Sequence, residues 1–259
     1  MNVLKLDSIN AAPWGPALLR NISLELSTGE ILGIIGPNGA GKSSLLHTMV
    51  GDITPTAGKI HFMGENLAQW TASTKAQRMA VLPQLSLLSF PYRVEEVILL
   101  GRTPHSSGHV EDRRILREVM EATDTCSLQQ RIYTQLSGGE KQRVQLARVF
   151  AQIWEGDPET PRLLLLDEPT AALDLAHQQL IMQALRLLVG RGCAVAMVAH
   201  DFNLVTALAD QISVMNAGEQ IAHGSCHEVV TRDIFSQVFG VEVTITPHPT
   251  TGKPLVFSL

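Results

Sequence analysis

Residues 30–50 read EILGIIGPNGAGKSSLLHTMV, and this stretch decides the fold. The apolar run that ends at Ile35 predicts a buried strand, and SSLLHTMV predicts a helix. Between them, GPNGAGKS at 36–43 fits the phosphate-binding pattern G-x-x-x-x-G-K-[ST] at every fixed position. A strand, a glycine-rich loop and a helix in this order predict an α/β protein that binds the phosphates of a nucleotide.

The loop and the start of the following helix supply the predicted phosphate contacts. Backbone N–H groups point inward around the β-phosphate, and the helix that begins at Lys42 adds the positive end of its dipole. We expect the Lys42 ammonium to reach the β- and γ-phosphates and the Ser43 hydroxyl to ligate Mg²⁺. The predicted set of ATP contacts at this loop is Gly36, Pro37, Asn38, Gly39, Ala40, Gly41, Lys42, Ser43 and Ser44.

The bulk composition is that of a globular protein. Of 259 residues, 45% are hydrophobic, 5% aromatic and 17% charged, and 20 basic against 25 acidic residues give a net charge of -5. Because no Lys/Arg-rich run is present, we expect no nucleic acid partner. The three cysteines form no CxxC pair, as in a reduced cytosolic protein. Without a signal peptide or an 18-residue apolar window, we expect any membrane-spanning part of a transport system to lie on another chain.

A second motif, LLLLDEP at 163–169, places two carboxylates after a continuous apolar run. Such a run predicts a buried parallel strand, and phosphates bind where the carboxyl ends of these strands meet. We expect Asp167, which ends the strand, to hold Mg²⁺ through water. Glu168 is one residue further on and therefore points in a different direction.

A third motif, LSGGEKQR at 136–143, opens a stretch of helical spacing that continues to about Gln152. Ser137 and the N–H groups of Gly138 and Gly139 therefore form a second helix N-terminus suited to phosphate. Together the three motifs resemble those of the ATP-binding-cassette (ABC) family, in the family's order, and the resemblance covers nearly all of the chain. It implies that these three residues contact the ATP held by a second subunit, so that the active form is a homodimer.

The resemblance also implies the fold class, an α/β P-loop NTPase cassette. We expect a mixed sheet core with an antiparallel β subdomain, because Val3–Ile9 and Ile22–Leu26 alternate in polarity. Helical spacing predicts a helical subdomain at about residues 85–151, inserted in the core. The whole chain, 1–259, is thus predicted to be a single ATP-binding domain, with an exposed loop at 155–161.

Five further roles follow from the resemblance. Glu168 corresponds to the base that polarises the attacking water. Gln84 corresponds to the glutamine that contacts Mg²⁺ and joins the core to the helical subdomain. His200, after the apolar run 194–198, matches a histidine that hydrogen-bonds the γ-phosphate, and Asp174 matches a loop that touches the opposing subunit. Trp14 matches an aromatic residue that stacks on adenine; the alternative is a partly exposed hydrophobic residue in a turn.

ABC ATPases serve transport, translation and chromosome maintenance, and this sequence favours transport. It carries one cassette without a heptad arm, and a free-standing P-loop kinase would leave LSGGEKQR without a role. The segment SFPYRVEEVILLGRTPH, 89–105, resembles importers for iron chelates, cobalamin and haem. Residues 82–92, 154–178 and 247–259 resemble the haem (haemin) import ATPases; a ferric siderophore or cobalamin is the alternative cargo.

The resemblance implies an assembly at the cytoplasmic face of a bacterial inner membrane. Its other members would be a dimer of an integral membrane permease and, indirectly, a periplasmic substrate-binding protein, and its cofactors would be ATP and Mg²⁺. The apolar run LSLLSFPY, 85–92, is either ordinary packing of the helical subdomain or a docking surface for the permease.

Overall fold

The computed structural model of the protein describes residues 1–13, 15–84, 88–155 and 160–258. Trp14, residues 85–87 of the apolar run and residues 156–159 of the predicted loop lie outside the described residues. The chain divides into two compact units, which we call the first unit (Met1–Gln69 with Ala194–Leu259) and the second unit (Trp70–Cys193). The organisation as one domain with a helical insertion at 85–151 remains a prediction.

The chain contains both strands and α-helices, in runs of up to three of one kind. The strands are β1 (Asn2–Ala11), β2 (Leu19–Ser27), β3 (Ile31–Ile35), β4 (Ala57–Phe62), β5 (Glu65–Asn66), β6 (Met79–Leu82), β7 (Arg162–Asp167), β8 (Cys193–Val198), β9 (Gln211–Asn216), β10 (Glu219–Ser225), β11 (Val243–Pro247) and β12 (Pro254–Ser258). The α-helices are α1 (Lys42–Val50), α2 (Ala72–Ala76), α3 (Val94–Leu99), α4 (His109–Ala122), α5 (Gly138–Ile153), α6 (Leu175–Gly190), α7 (Phe202–Leu208), α8 (Cys226–Val229) and α9 (Arg232–Ile234).

A mixed sheet forms the core of the first unit. Its strand order is β5-β4-β1-β2-β10-β9-β3-β8. On one side β1 pairs antiparallel with β2 and β4, and on the other β3 pairs parallel with β8 and β9. This arrangement confirms the predicted α/β class with a mixed core and an antiparallel β region.

The burial pattern of each strand explains its place in the sheet. In β2, buried and exposed residues alternate along most of the strand, so one face is apolar and the other meets solvent. All five residues of β3 are buried, as expected of a parallel strand that is covered on both faces. Residues 216–218 close the β9–β10 hairpin with positive φ at Ala217 and Gly218, which is the conformation of a tight primed turn.

The second unit combines the parallel pair β6 and β7 with packed helices. In α4 the buried residues are Ile115, Leu116, Val119 and Met120, a spacing that gives the helix one apolar face. This helix packs with α3 and α5, whose apolar residues complete the helical core. Among the described residues, no helix is both long enough and apolar enough to cross a membrane.

Candidate functional site

Close backbone contacts fix the loop 36–41 in the first unit. A Cβ atom at Gly36 would lie only 2.2 Å from the Met215 carbonyl oxygen, so a side chain cannot be accommodated without a shift. Gly41, immediately before α1, has φ 97°, a left-handed conformation that favours glycine. The Gly218 N–H donates to the Ala40 carbonyl oxygen at 3.0 Å. The loop is therefore fixed against the β9–β10 hairpin.

Lys42 begins α1 and is only 7% exposed. Its ammonium donates to the carbonyl oxygens of Gly36 at 2.8 Å and Pro37 at 2.9 Å, inside the loop. These bonds offset part of the cost of burying the charge. Of the other predicted contacts, Gly36 and Ala40 are buried. The rest are at least partly accessible: Pro37, Asn38, Gly39, Gly41, Ser43 and Ser44.

In the second unit, the carboxyl end of β7 positions two carboxylates. Asp167 is the last residue of the strand and is 5% exposed. Glu168 follows with φ 51°, so the backbone changes direction directly after Asp167. Gln84 Nε2 donates to Glu168 Oε1 at 3.0 Å, although the two residues are 84 positions apart. The fold thus brings the predicted glutamine and the predicted base into direct contact.

Gln142, which the motif spacing does not single out, supports the turn that carries Glu168. Its Nε2 donates to the Pro169 carbonyl oxygen at 3.0 Å and, less closely, to that of Glu168 at 3.4 Å. Because Gln142 lies in the second turn of α5, this helix holds the backbone next to the proposed base. Gln142 is part of LSGGEKQR, but the motif alone does not predict which carbonyl oxygens accept its hydrogen bonds.

Ser137 is the N-cap of α5 and forms a capping box with Glu140. Ser137 Oγ accepts from the Glu140 N–H at 3.3 Å, and Glu140 Oε2 accepts from the Ser137 N–H at 2.7 Å. The Ser137 backbone N–H is the main cause that holds the pKa of Glu140 below its usual range. Next to this box, a Cβ at Gly138 would meet no heavy atom of the described residues within 4 Å. The loop therefore leaves open space at Gly138.

Asp174 is the N-cap of α6, a local role beside the predicted contact with a second subunit. Its carboxylate accepts from the His177 N–H at 2.9 Å and lies 2.7 Å from His177 Nδ1. The His177 N–H is the main cause that lowers the pKa of Asp174. His177 Nε2 in turn lies 3.4 Å from Asp124, whose carboxylate pairs with Arg143 at 2.8 Å. Arg143 belongs to LSGGEKQR, but the motif does not predict this link between α5 and α6.

His200 lies at a strand–helix junction in the first unit. It is exposed and follows the end of β8 by two residues. Asp201, the next residue, caps α7 by accepting from the N–H groups of Asn203 and Leu204 at 2.9 and 3.1 Å. The position of His200 is thus held by the cap that follows it. Trp14, the predicted adenine contact, lies outside the described residues.

Comparisons with known proteins agree with these features. The family model described as ABC transporter matches residues 19–171. The hemin import ATP-binding protein HmuV of Gloeobacter violaceus is 48% identical, over 99% of this chain and 94% of that protein. The protein of the same name from Pseudomonas entomophila is 44% identical, over 99% of this chain and 100% of that protein. A solved ATP-binding cassette, dimeric in a post-hydrolysis state with ADP and Pi bound, is similar with a TM-score of 0.73, 25% identity and coverage of 86% of this chain and 98% of that one.

The chain therefore belongs to the ABC transporter family. Within this family it is an ATP-binding subunit and an ATPase. The resemblance inferred from the three motifs is confirmed, whereas the role of each site residue remains a prediction.

Proposed function

We propose that this chain is the ATP-hydrolysing motor subunit of a bacterial ABC importer that takes up haem. The observation that supports the cargo is similarity over nearly the whole chain to two proteins named for hemin import, at 48% and 44% identity. The chemistry of the site supports ATP hydrolysis but does not identify the cargo, because a motor subunit need not touch what is transported.

ATP binding is the first step, at the loop 36–44. Loop N–H groups and the N-terminus of α1 surround the β-phosphate. Lys42, which lies against the carbonyl oxygens of Gly36 and Pro37, turns to the β- and γ-phosphates. This exchange replaces neutral acceptors with charged ones, and charge-assisted hydrogen bonds are the stronger kind. Trp14, which lies outside the described residues, is the proposed aromatic contact for adenine.

Three side chains would hold Mg²⁺ with the nucleotide: Ser43, Gln84 and Asp167. Each offers oxygen, which Mg²⁺ prefers as a ligand. The Gln84 amide nitrogen is engaged with Glu168, so its oxygen is the atom left for the ion. Asp167 is only 5% exposed, and a bound cation would offset the cost of burying its carboxylate. When bound, the ion supplies charge neutralisation for the phosphates.

Hydrolysis requires an oriented water molecule in line with the γ-phosphate. Glu168 accepts a hydrogen bond from that water and increases its nucleophilicity, while Gln84 fixes the carboxylate through the bond at 3.0 Å. Gln142 steadies the same turn through the carbonyl oxygens of Glu168 and Pro169. His200 donates to the γ-phosphate and so aligns it for attack.

A second subunit completes each site, with Ser137, Gly138, Gly139 and Asp174 as the proposed contacts. The open space at Gly138 supports this role, because phosphate oxygens need close access to the helix N-terminus. The similar cassette that was solved as a dimer with ADP and Pi gives further support. ATP then joins the two subunits, and hydrolysis releases them.

Transmission to a permease is proposed to use the exposed end of the segment 85–92. Phe90 is 64% exposed and Tyr92 41%, and their ring centroids are 6.1 Å apart. Adjacent exposed aromatic rings form an apolar patch of the kind that a partner helix covers. The motor would thereby bind a permease dimer at the cytoplasmic face of the inner membrane. A periplasmic binding protein would deliver the cargo to that permease.

The catalytic assignment is tested by Glu168→Gln, which removes the carboxylate but keeps the shape of the side chain. We expect ATP binding to persist, turnover to be abolished, and the protein to elute as an ATP-bound dimer in size exclusion. Glu121→Gln, a change at another surface carboxylate, serves as the control and should leave turnover unchanged. Turnover of Glu168→Gln near the unmodified rate would show that another group acts as the base.

The cargo is tested with the motor reconstituted together with its permease. ATP turnover should rise with haem-loaded binding protein and not with a ferric siderophore or cobalamin, because cargo acts only through permease states that bind the motor differently. Stimulation by a siderophore or cobalamin alone would contradict the haem assignment and leave the importer motor intact.

Coupling is tested by Phe90→Glu in the same reconstituted system. Transport should be lost while most of the basal ATPase activity persists. Val110→Glu is the matched control, because Val110 is 89% exposed and lies outside the segment 85–92. Equal transport in both variants would remove Phe90 from the coupling surface.

A further inference from the structure

The second unit contains a cavity of ≈ 760 Å³ that the ATPase mechanism does not use. Five arginines line it: Arg78, Arg102, Arg114, Arg162 and Arg191. Clustering so many like charges around one space is unfavourable unless anions offset the repulsion. The pairing of each guanidinium therefore decides what the cavity can bind.

Two of the arginines are neutralised by neighbouring carboxylates. Arg102 pairs with Asp112 at 2.9 Å and also donates to the Ala151 carbonyl oxygen at 2.8 Å. Arg114 forms ion pairs with three carboxylates, those of Glu111, Glu118 and Glu155. Arg114 thus takes up most of the acidic charge at the cavity.

The other three, Arg78, Arg162 and Arg191, form no ion pair with any carboxylate of the described residues. Arg78 is half-buried and directly precedes β6. The Arg191 guanidinium lies 5.3 Å from the centroid of the Trp154 ring, a cation–π contact that leaves its N–H groups available. These two side chains have donors to offer a ligand.

Arg162 is the most informative of the three because it is 1% exposed. It donates to the carbonyl oxygens of Ile153 and Arg191, each at 2.6 Å. Its Nε has no hydrogen-bond partner among the described residues. Burial also lowers the pKa of Arg162 from its usual value. A buried guanidinium with neutral partners only is costly, and a bound anion would remove that cost.

This cavity lies at the end of the strands opposite the catalytic carboxylates. Arg162 is the first residue of β7 and Asp167 the last, so their Cα atoms are roughly 17 Å apart along the strand. Likewise Arg78 precedes β6 and Gln84 follows it. A ligand in the cavity would therefore not compete for Asp167 or Glu168.

We propose that the cavity binds a small multivalent oxyanion through Arg78, Arg162 and Arg191. Guanidinium groups match phosphate and carboxylate oxygens in paired hydrogen bonds, which makes a phosphate-bearing or polycarboxylate metabolite the fitting class. The ligand supplies the ion-pair partner that these three arginines lack among the described residues, whose cavity carboxylates Glu118 and Glu155 pair with Arg114. It binds independently of ATP and stabilises the second unit by an amount that rises with the ratio of ligand concentration to Kd.

The test uses Lys42→Ala protein, in which anion binding at the loop 36–44 is weakened. We expect isothermal titration calorimetry to detect binding of pyrophosphate, of citrate or of both. The probe with the higher affinity indicates whether the natural ligand belongs to the phosphate or the carboxylate class. Adding Arg78→Gln together with Arg191→Gln should weaken binding by at least about tenfold, since charge-assisted hydrogen bonds are lost.

Arg117→Gln is the matched control, because Arg117 is an exposed residue of α4 that does not line the cavity. It should change the affinity less than twofold, roughly the margin of a surface substitution. Thermal melting checks that the double variant folds. We expect it to fold, because the side chains of Arg78 and Arg191 make no hydrogen bond within the described residues of the unmodified protein. Equal affinity in the double variant and the control, or no binding of either probe at millimolar concentration, would overturn the proposal.

Discussion

Two loops in this protein begin a helix and are proposed to face phosphate, but they are held in different ways. The loop 36–41 is fixed by the backbone, with the Met215 carbonyl oxygen 2.2 Å from where a Gly36 Cβ would lie. The loop before α5 is fixed by side chains, through the capping box of Ser137 and Glu140, and leaves open space at Gly138. Contacts within the same chain are sufficient to hold the first loop in its conformation. The second has the local chemistry of an ordinary helix cap, and its proposed function needs another molecule.

The largest expected effect is that of Gly36→Ala. The added methyl group collides with backbone that cannot move aside cheaply, so the free energy of unfolding should fall by about 1–3 kcal/mol. ATP affinity should weaken by about tenfold or more as the loop shifts. Chemical denaturation and equilibrium binding measure the two effects. If both quantities match those of the unmodified protein, backbone closure does not hold the loop.

Ser137→Arg comes next, because it places bulk and charge where the partner's γ-phosphate is proposed to lie. ATP binding by the single chain should persist, while ATP-dependent dimerisation and hydrolysis are lost. Ser137→Ala is the comparison: it removes the cap, at a cost of about 1 kcal/mol to the stability of α5, and the proposed hydroxyl contact, but adds neither bulk nor charge, so dimerisation should be impaired less. Size exclusion with ATP separates the two cases. A fully active Ser137→Arg protein would show that Ser137 in LSGGEKQR acts only as a helix cap.

Substitution by alanine should have different effects at Gly138 and at Gly139, the two glycines of LSGGEKQR. Gly138→Ala meets no described heavy atom within 4 Å, so folding should be unaffected, whereas hydrolysis should drop if the partner's phosphate approaches here. Gly139→Ala places its Cβ 2.9 Å from the Ala172 carbonyl oxygen, so stability should fall as well. Melting curves and ATPase rates, recorded in parallel, distinguish the effects. Unchanged hydrolysis in Gly138→Ala would argue against a phosphate contact.

The smallest expected effect is the pH dependence of the capping box. The pKa of Glu140 is lowered from 4.5 in the folded state, first by the Ser137 backbone N–H. Its stabilising contribution is therefore present above pH 4.5 and is lost as the pH falls through the lower, folded value. Glu140→Gln should melt slightly earlier than the unmodified protein at pH 7, and the difference should shrink as the pH falls through the lowered pKa of the folded state, because the carboxyl then becomes protonated in both states. A difference that grows on acidification would contradict this sign.

What the sequence determined about this protein is mostly local. GPNGAGKS identifies a phosphate loop because the fold of that loop depends on glycines and on a lysine at a fixed spacing. The apolar run before Asp167 and the Ser137/Glu140 pair likewise predict a strand end and a helix start, since both signals extend over only a few residues. The family, and with it the ATPase activity, follows from these segments.

Tertiary structure decided which distant side chains meet. Gln84 reaches Glu168 across 84 positions, and Gln142 supports the same turn, although neither contact is encoded in a spacing. Arg78 and Arg162 share a cavity only because β6 and β7 run parallel and begin at the same edge. Periodicity and capping describe neighbours within about one helical turn, whereas contacts between segments depend on how the apolar faces pack. For that reason the arginine-lined cavity became visible only in the folded structure.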